Sequence, residues 1–271
     1  MNKNALAISF YPTDKCNFSC KYCYRKNNKF KEEASIQQLD TMFKNLSNYT
    51  IESFTIFGGE PSLYRHINYL IDGIIEKLQC YKITIFTNGS NKNFLIDLSK
   101  NKYINYIQVR ISCHLEYYEA IKENLLDTYN LFPNITTTNL IDATNRNKFY
   151  QYIEDCIYYN WKYYVTPIID DNNNYKNSVY WNESFANELK EKYNITYTNN
   201  FKHKFLLQKC YNNFMIINPD GSTQYTHCHY NIKNTNIFQN NWLHKNQYII
   251  CKNPFGINCS TKCNNSYHEK N

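Results

Sequence analysis

Glycine and proline are scarce in this chain, 6 of each in 271 residues, and no long linker is visible. No apolar run approaches the roughly 18 residues of a membrane span. The first apolar stretch, Ala5 to Phe10, is too short for the core of a secretory signal. Basic residues exceed acidic ones, 30 against 23, yet they are scattered rather than run together. Clustered Lys and Arg are the footprint of nucleic-acid binding, so neither a nucleic acid nor a membrane is expected as partner. The Asn-, Lys-, Ile- and Tyr-rich composition reads as the bias of an AT-rich genome.

What is present supports a large core. Aromatic residues make up 17% of the chain, with 27 Tyr as the largest part, and a chain of this length buries a core without disulfides. The 11 cysteines lack a secretory context, so they point to metals or catalysis in a reducing, cytoplasmic compartment.

Apolar patterning alternates strands and helices. Strands are expected at Ala5–Tyr11, Ile51–Phe57, Tyr81–Thr87, Asn105–Ser112, Asn134–Leu140 and Trp161–Ile169. Helical patterns lie between them, at roughly thirty residues per unit, which predicts parallel βα units. The expected fold class is α/β, a partial (β/α)6 TIM-like barrel with its site at the strand C-terminal ends. The rhythm stops near Thr196. The expected division is a barrel over residues 1–195 and a small Cys-rich domain with a β-hairpin over 196–271.

Chemistry concentrates where the first strand ends. Cys16, Cys20 and Cys23 stand with three and then two residues between them. Iron–sulfur clusters normally take four Cys. Three thiolates with no fourth nearby leave one iron open. Zinc or reduced core cysteines are the other readings of such spacing. At the end of the second strand, Gly58-Gly59-Glu60 frees the backbone for close approach. In the fourth strand Ile107, Val109 and Ile111 form an apolar face, and Gln108, Arg110 and Ser112 a polar one that His114 continues, as a wet lumen requires.

The cysteine loop, with Tyr22 before its third cysteine, and the Gly-Gly-Glu downstream together resemble the radical S-adenosylmethionine (radical SAM) superfamily over about residues 5 to 170. The resemblance implies a [4Fe–4S] cluster on Cys16, Cys20 and Cys23 whose open iron takes the amino and carboxylate groups of SAM. It implies that Gly58, Gly59 and Glu60 meet the amino group of SAM, and that Tyr22 offers its backbone to the adenine. Asn88 matches a Thr-Asn-Gly position, and Ser112 matches a serine that contacts SAM. Arg110 or His114 could hold SAM's carboxylate or a substrate. Asn139 and Ile168 are weaker carry-overs, to the mouth and to the adenine. Cys113 adjoins the site and is a candidate hydrogen-atom donor beside His114, although alternation points it toward the helices.

In the tail, Cys210 and Cys228 bracket a hairpin built on Asn218-Pro-Asp-Gly221. This resembles the SPASM and shorter twitch domains and implies an auxiliary [4Fe–4S] cluster on Cys210, Cys228, Cys259 and Cys263, with Cys251 as a substitute ligand. A structural zinc site using His227 or His229 is the alternative. The expected activity is reductive cleavage of SAM and hydrogen abstraction from a ribosomally made peptide. A sugar- or aminocyclitol-like alcohol is the competing substrate, and a non-catalytic electron-transfer protein the competing class. A flavodoxin or ferredoxin would supply electrons, and a separate protein could bind a leader peptide.

Overall fold

The computed structural model describes residues 5–23, 25, 33–167, 179–195, 209–211, 214–224, 235–240, 242, 248–250 and 267–269. Among the described residues the strands are β1 (Ala5–Phe10), β2 (Thr50–Ile56), β3 (Ile83–Thr87), β4 (Ile107–Ser112), β5 (Ile135–Ile141), β6 (Tyr163–Pro167), β7 (Lys209–Tyr211), β8 (Phe214–Ile217), β9 (Thr223–Gln224), β10 (Tyr248–Ile250) and β11 (Tyr267–Glu269). The α-helices are α1 (Ile36–Leu46), α2 (Ile67–Glu76), α3 (Lys92–Ser99), α4 (Tyr118–Thr128), α5 (Arg146–Tyr158) and α6 (Glu183–Tyr193). The six expected βα strands are all present, and the fold is the parallel α/β sheet of a partial TIM-like barrel. Among the described residues no helix is long and apolar enough to cross a membrane.

The chain divides into two compact units. One holds residues 1–19, 24–85 and 201–271, the other residues 20–23 and 86–200.

In the first unit the strands lie in the order β9-β8-β1-β2-β3. β1 pairs in parallel with β2 on one side and β8 on the other, with Ile8 level with Phe54 and Met215. Flanked on both edges, β1 is buried at every position, as a central parallel strand should be. The hairpin of the tail thus extends the sheet instead of standing apart from it. Its turn is as expected: the Gly221 amide donates to the Asn218 carbonyl at 2.9 Å, and Gly221 sits at φ +82°, a region open to glycine. A separate antiparallel sheet runs β10-β7-β11, with Cys210 at the centre of its middle strand. Helix α1 starts at a capping box: Ser35 Oγ accepts from the Gln38 amide and Gln38 Oε1 from the Ser35 amide.

The second unit carries the end of β3, then β4, β5 and β6 in parallel, with α3 to α6. On β4 Ile107, Val109 and Ile111 are buried while Gln108, Arg110 and Ser112 are half-buried, the alternation read from the sequence. Thr137 of β5 bonds Tyr152 Oη at 2.9 Å on α5, which marks the odd-numbered residues of β5 as the helix side.

Candidate functional site

In the first unit, the Gly-Gly-Glu turn is bonded to the chain that leads into the cysteine loop. The Gly59 amide donates to the Thr13 carbonyl at 2.9 Å, and the Glu60 amide to the Lys15 carbonyl at 2.7 Å. A Cβ on Gly59 would lie 2.2 Å from Lys15 O and 2.5 Å from Asp14 O. One on Gly58 would lie 2.7 Å from Thr13 O. The glycines are required by this approach, and the cradle they form fits the turn that the resemblance assigns to SAM. Glu60 itself is 1% exposed, and its carboxylate accepts from the Ser62 amide at 2.9 Å.

The same unit closes the base of the loop. Arg25, beyond Cys23, donates from Nε to Asp14 Oδ1 at 2.7 Å, with Nη2 at 2.5 Å from the same oxygen. Its guanidinium lies 4.3 Å from the ring centre of Tyr11, which stacks on Phe57. Burial raises the Asp14 carboxyl despite the opposing Arg25, so this pair positions the chain more than it stabilises it. Sequence reading missed the pair, since its members flank the motif rather than form part of it. Within the loop the Phe18 amide donates to Cys16 Sγ at 3.4 Å, the kind of bond that tunes a cluster sulfur.

In the second unit, the Cys23 amide donates to the Cys20 carbonyl at 3.1 Å, a tight turn that holds Tyr22. The ring of Tyr22 stacks on His114 at 5.8 Å and meets the edge of Tyr180. Tyr22 Oη lies 2.9 Å from His114 Nδ1. Burial pushes the His114 imidazole down to about 4. Burial above all, with the carboxylates of Glu116 and Asp142 adding to it, pushes the Tyr22 phenol up. Both are neutral at pH 7, and the proton of this bond sits on Tyr22 Oη or on His114 Nδ1 according to the imidazole tautomer. His114 therefore carries no positive charge at pH 7.

The other expected residues separate by face. Asn88 is 4% exposed, and its Oδ1 accepts from the Ser90 amide at 3.0 Å and from Ser90 Oγ at 2.6 Å, a turn-forming role. Ser112 stands on the inner face of β4, level with Thr138. Asn139 shares the phase of Thr137 and so lies on the helix side of β5, with its Nδ2 buried and unpartnered. Cys113 is 1% exposed, near Tyr118, Tyr152 and Cys156 of α4 and α5, and burial pushes its thiol up. Cys113 is packed in the core on the helix side of the sheet. Ile168, Cys228, Cys251, Cys259 and Cys263 lie outside the described residues, as does the side chain of Cys210.

Among the described residues no three His, Cys, Asp or Glu side chains converge as one metal ion requires. A four-iron cluster asks for less convergence, because each thiolate takes its own iron.

Comparison with known proteins places these observations. An S-adenosylmethionine-dependent nucleotide dehydratase of Flammeovirga pacifica is 25% identical over 251 residues, 79% of this chain and 80% of that protein. The sporulation killing factor maturation protein SkfB of Bacillus subtilis is 29% identical over 80 residues, 29% of this chain and 19% of SkfB. Matches to two other curated relatives span 42% and 51% of those proteins' lengths. Among solved structures, Streptococcus suis SuiB bound to S-adenosylmethionine superposes with a TM-score of 0.63 at 15% identity, covering 88% of this chain and 64% of SuiB. At that identity the likeness shows the fold. The model of the Radical SAM superfamily matches residues 10–160, more than half of the chain and the whole stretch from the end of β1 past α5. The protein belongs to the radical SAM superfamily, whose members use SAM and a [4Fe–4S] cluster.

Proposed function

We propose that this chain holds a [4Fe–4S] cluster on Cys16, Cys20 and Cys23 and binds SAM at its open iron. The observation that carries the reading is the bonding of Gly59 and Glu60 to Thr13 and Lys15, immediately before Cys16. It ties the turn meant for SAM to the chain meant for the cluster. When bound, SAM on the reduced cluster supplies the radical that removes a hydrogen atom from a substrate carbon.

The protein's own part is to hold and to shield. Gly58, Gly59 and Glu60 meet the methionine end of SAM, Ser112 the ribose side, and the Tyr22 backbone the adenine. The Asp14–Arg25 pair fixes the loop at its base, and His114 holds the Tyr22 ring. Cys210, Cys228, Cys259 and Cys263, with Cys251 in reserve, hold an auxiliary [4Fe–4S] cluster of twitch type. A flavodoxin or ferredoxin delivers the electron.

The substrate we favour is a ribosomally made peptide. The support is the similarity to SkfB, a maturation protein, and the shared fold with SuiB, solved also with its precursor peptide SuiA. A second reading, a small molecule, draws on the breadth of the match to the nucleotide dehydratase. Neighbouring genes discriminate between them: a short peptide gene speaks for the first, nucleotide or sugar genes for the second.

Anaerobic reconstitution followed by dithionite and SAM tests the chemistry. The wild-type protein is expected to form 5'-deoxyadenosine well above a Cys16→Ala control. Equal amounts from the two would refute it.

A further inference from the structure

The second unit contains two buried polar groups left without partners on one face. Arg110 Nε and Thr136 Oγ1 are both buried and unpartnered among the described residues. Thr136 is 6% exposed. The two residues are level with each other on adjacent parallel strands, β4 and β5. In a parallel pair such residues point to the same side. That side is the inner one, because Thr137 next door bonds to α5.

Among the described residues the guanidinium meets an amide oxygen and two aromatic rings. Arg110 Nη2 donates to Gln108 Oε1 at 3.3 Å. The guanidinium carbon lies 5.3 Å from the ring centre of Phe86 on β3 and 5.9 Å from that of Tyr164 on β6. Two aromatic walls orient it without neutralising it. Among the described residues no carboxylate pairs with Arg110. A buried donor without an acceptor disfavours folding, and a guanidinium is matched in shape to carboxylate and phosphate oxygens.

We propose that Arg110 and Thr136 form a receptor for an oxyanion on the substrate, a carboxylate or a phosphate. The inference rests on the reading that SAM lies at the strand ends, where Ser112 meets it. Arg110 is two residues back along β4, about 6.6 Å deeper at about 3.3 Å per residue. A group held there is under SAM and inside the sheet, where a substrate carbon would have to wait. The site supplies orientation: an anion anchored on Arg110 fixes which carbon faces the strand ends.

The test is calorimetric titration of the SAM-bound, reconstituted protein with inorganic phosphate and, separately, with acetate, chloride held constant. One of the two is expected to bind at millimolar concentration. Arg110→Gln should weaken that binding by about tenfold or more, and Thr136→Val, which keeps shape and removes the hydroxyl, by about threefold. SAM affinity in both variants should change by less than about threefold. Phosphate binding alone would assign a phosphorylated substrate; acetate binding alone would assign an acidic one, such as a peptide carboxylate. The proposal is overturned if neither anion binds, if both variants titrate like wild type, or if SAM affinity falls as far as anion affinity. A wild-type protein that binds the anion yet forms no 5'-deoxyadenosine would sink the radical SAM reading and leave the receptor standing.

Discussion

The Glu60 amide donates to the Lys15 carbonyl at 2.7 Å, so the turn after β2 is fastened to the residue before Cys16. Gly59 permits this contact, since a Cβ there would sit 2.2 Å from that same carbonyl oxygen. Backbone cannot yield as a side chain can. Gly59→Ala is expected to push the turn off the loop and to cost about 1–3 kcal/mol of stability in urea denaturation. A displacement near 1 Å at a reacting site can cost about a hundredfold in rate. The formation of 5'-deoxyadenosine should fall on that scale while the far-ultraviolet circular dichroism is retained. Unchanged activity would show that the fastening is incidental.

Asp14 and Arg25 stand on opposite sides of the three cysteines, with side chains 7% and 9% exposed. Removing one member of a buried pair leaves the other charge uncompensated, at about 3–5 kcal/mol. The higher Asp14 pKa that burial produces lets the carboxyl take a proton more readily, which lowers that cost toward the bottom of the range. Arg25→Ala should therefore destabilise the protein by about 3 kcal/mol and lower the iron retained per chain after reconstitution. Full iron retention would mean that the loop does not depend on its base.

His114 gives the protein a specific response to acid. Its ordinary pKa of 6.5 falls to about 4 in the folded state. Below pH 6.5 the unfolded chain takes a proton that the folded chain refuses, so stability declines as pH drops toward 4 and levels off beneath it. From pH 7 to pH 5 this group alone should remove about 2 kcal/mol. His114→Asn keeps an acceptor near the Nδ1 position for Tyr22 and does not titrate. The variant should lose that part of the pH dependence, measured as the shift in denaturation midpoint between the two pH values. An identical shift in the variant would place the acid response elsewhere.

Cys210 lies in the middle strand of the β10-β7-β11 sheet, an ordered backbone position for a metal ligand. If the tail holds a second cluster, reconstituted wild-type protein should carry about eight irons and Cys210→Ala about four. Zinc in place of that iron, lost in the same variant, would establish the structural zinc alternative. Iron unchanged by the substitution would remove the auxiliary cluster from the account.

The strands were legible because their burial repeats with period two or as short apolar runs, and β4 shows its inner face in six letters, Ile-Gln-Val-Arg-Ile-Ser. The Asn218-Pro-Asp-Gly221 turn was legible for a similar reason: it is made by neighbours in sequence. What was not legible is pairing across distance. Tyr22 and His114 are 92 residues apart, and β8 joins β1 from the far end of the chain. β5 hid its faces because Thr136-Thr137-Thr138 repeats one residue type. The letters there do not tell Thr136, on the inner side, from Asn139, which falls on the helix side.

Cys113 shows how one residue of phase separates packing from chemistry. It follows Ser112, the last inner-face residue of β4, and its own amide donates to the Thr138 carbonyl at 2.8 Å. Its thiol is directed to the side of Tyr118, Tyr152 and Cys156, where burial keeps it protonated. A thiol that donated a hydrogen atom to a substrate radical would have to reach the inner face, which the strand geometry denies it. Cys113→Ala should therefore form 5'-deoxyadenosine and final product at wild-type rates. It should lose about 1 kcal/mol of stability, the scale of one buried methylene-sized group. The informative measurement is the ratio of product to 5'-deoxyadenosine. A ratio that collapsed in Cys113→Ala, with 5'-deoxyadenosine formation intact, would return Cys113 to the reaction. A constant ratio with a lowered denaturation midpoint would confirm that its work is packing.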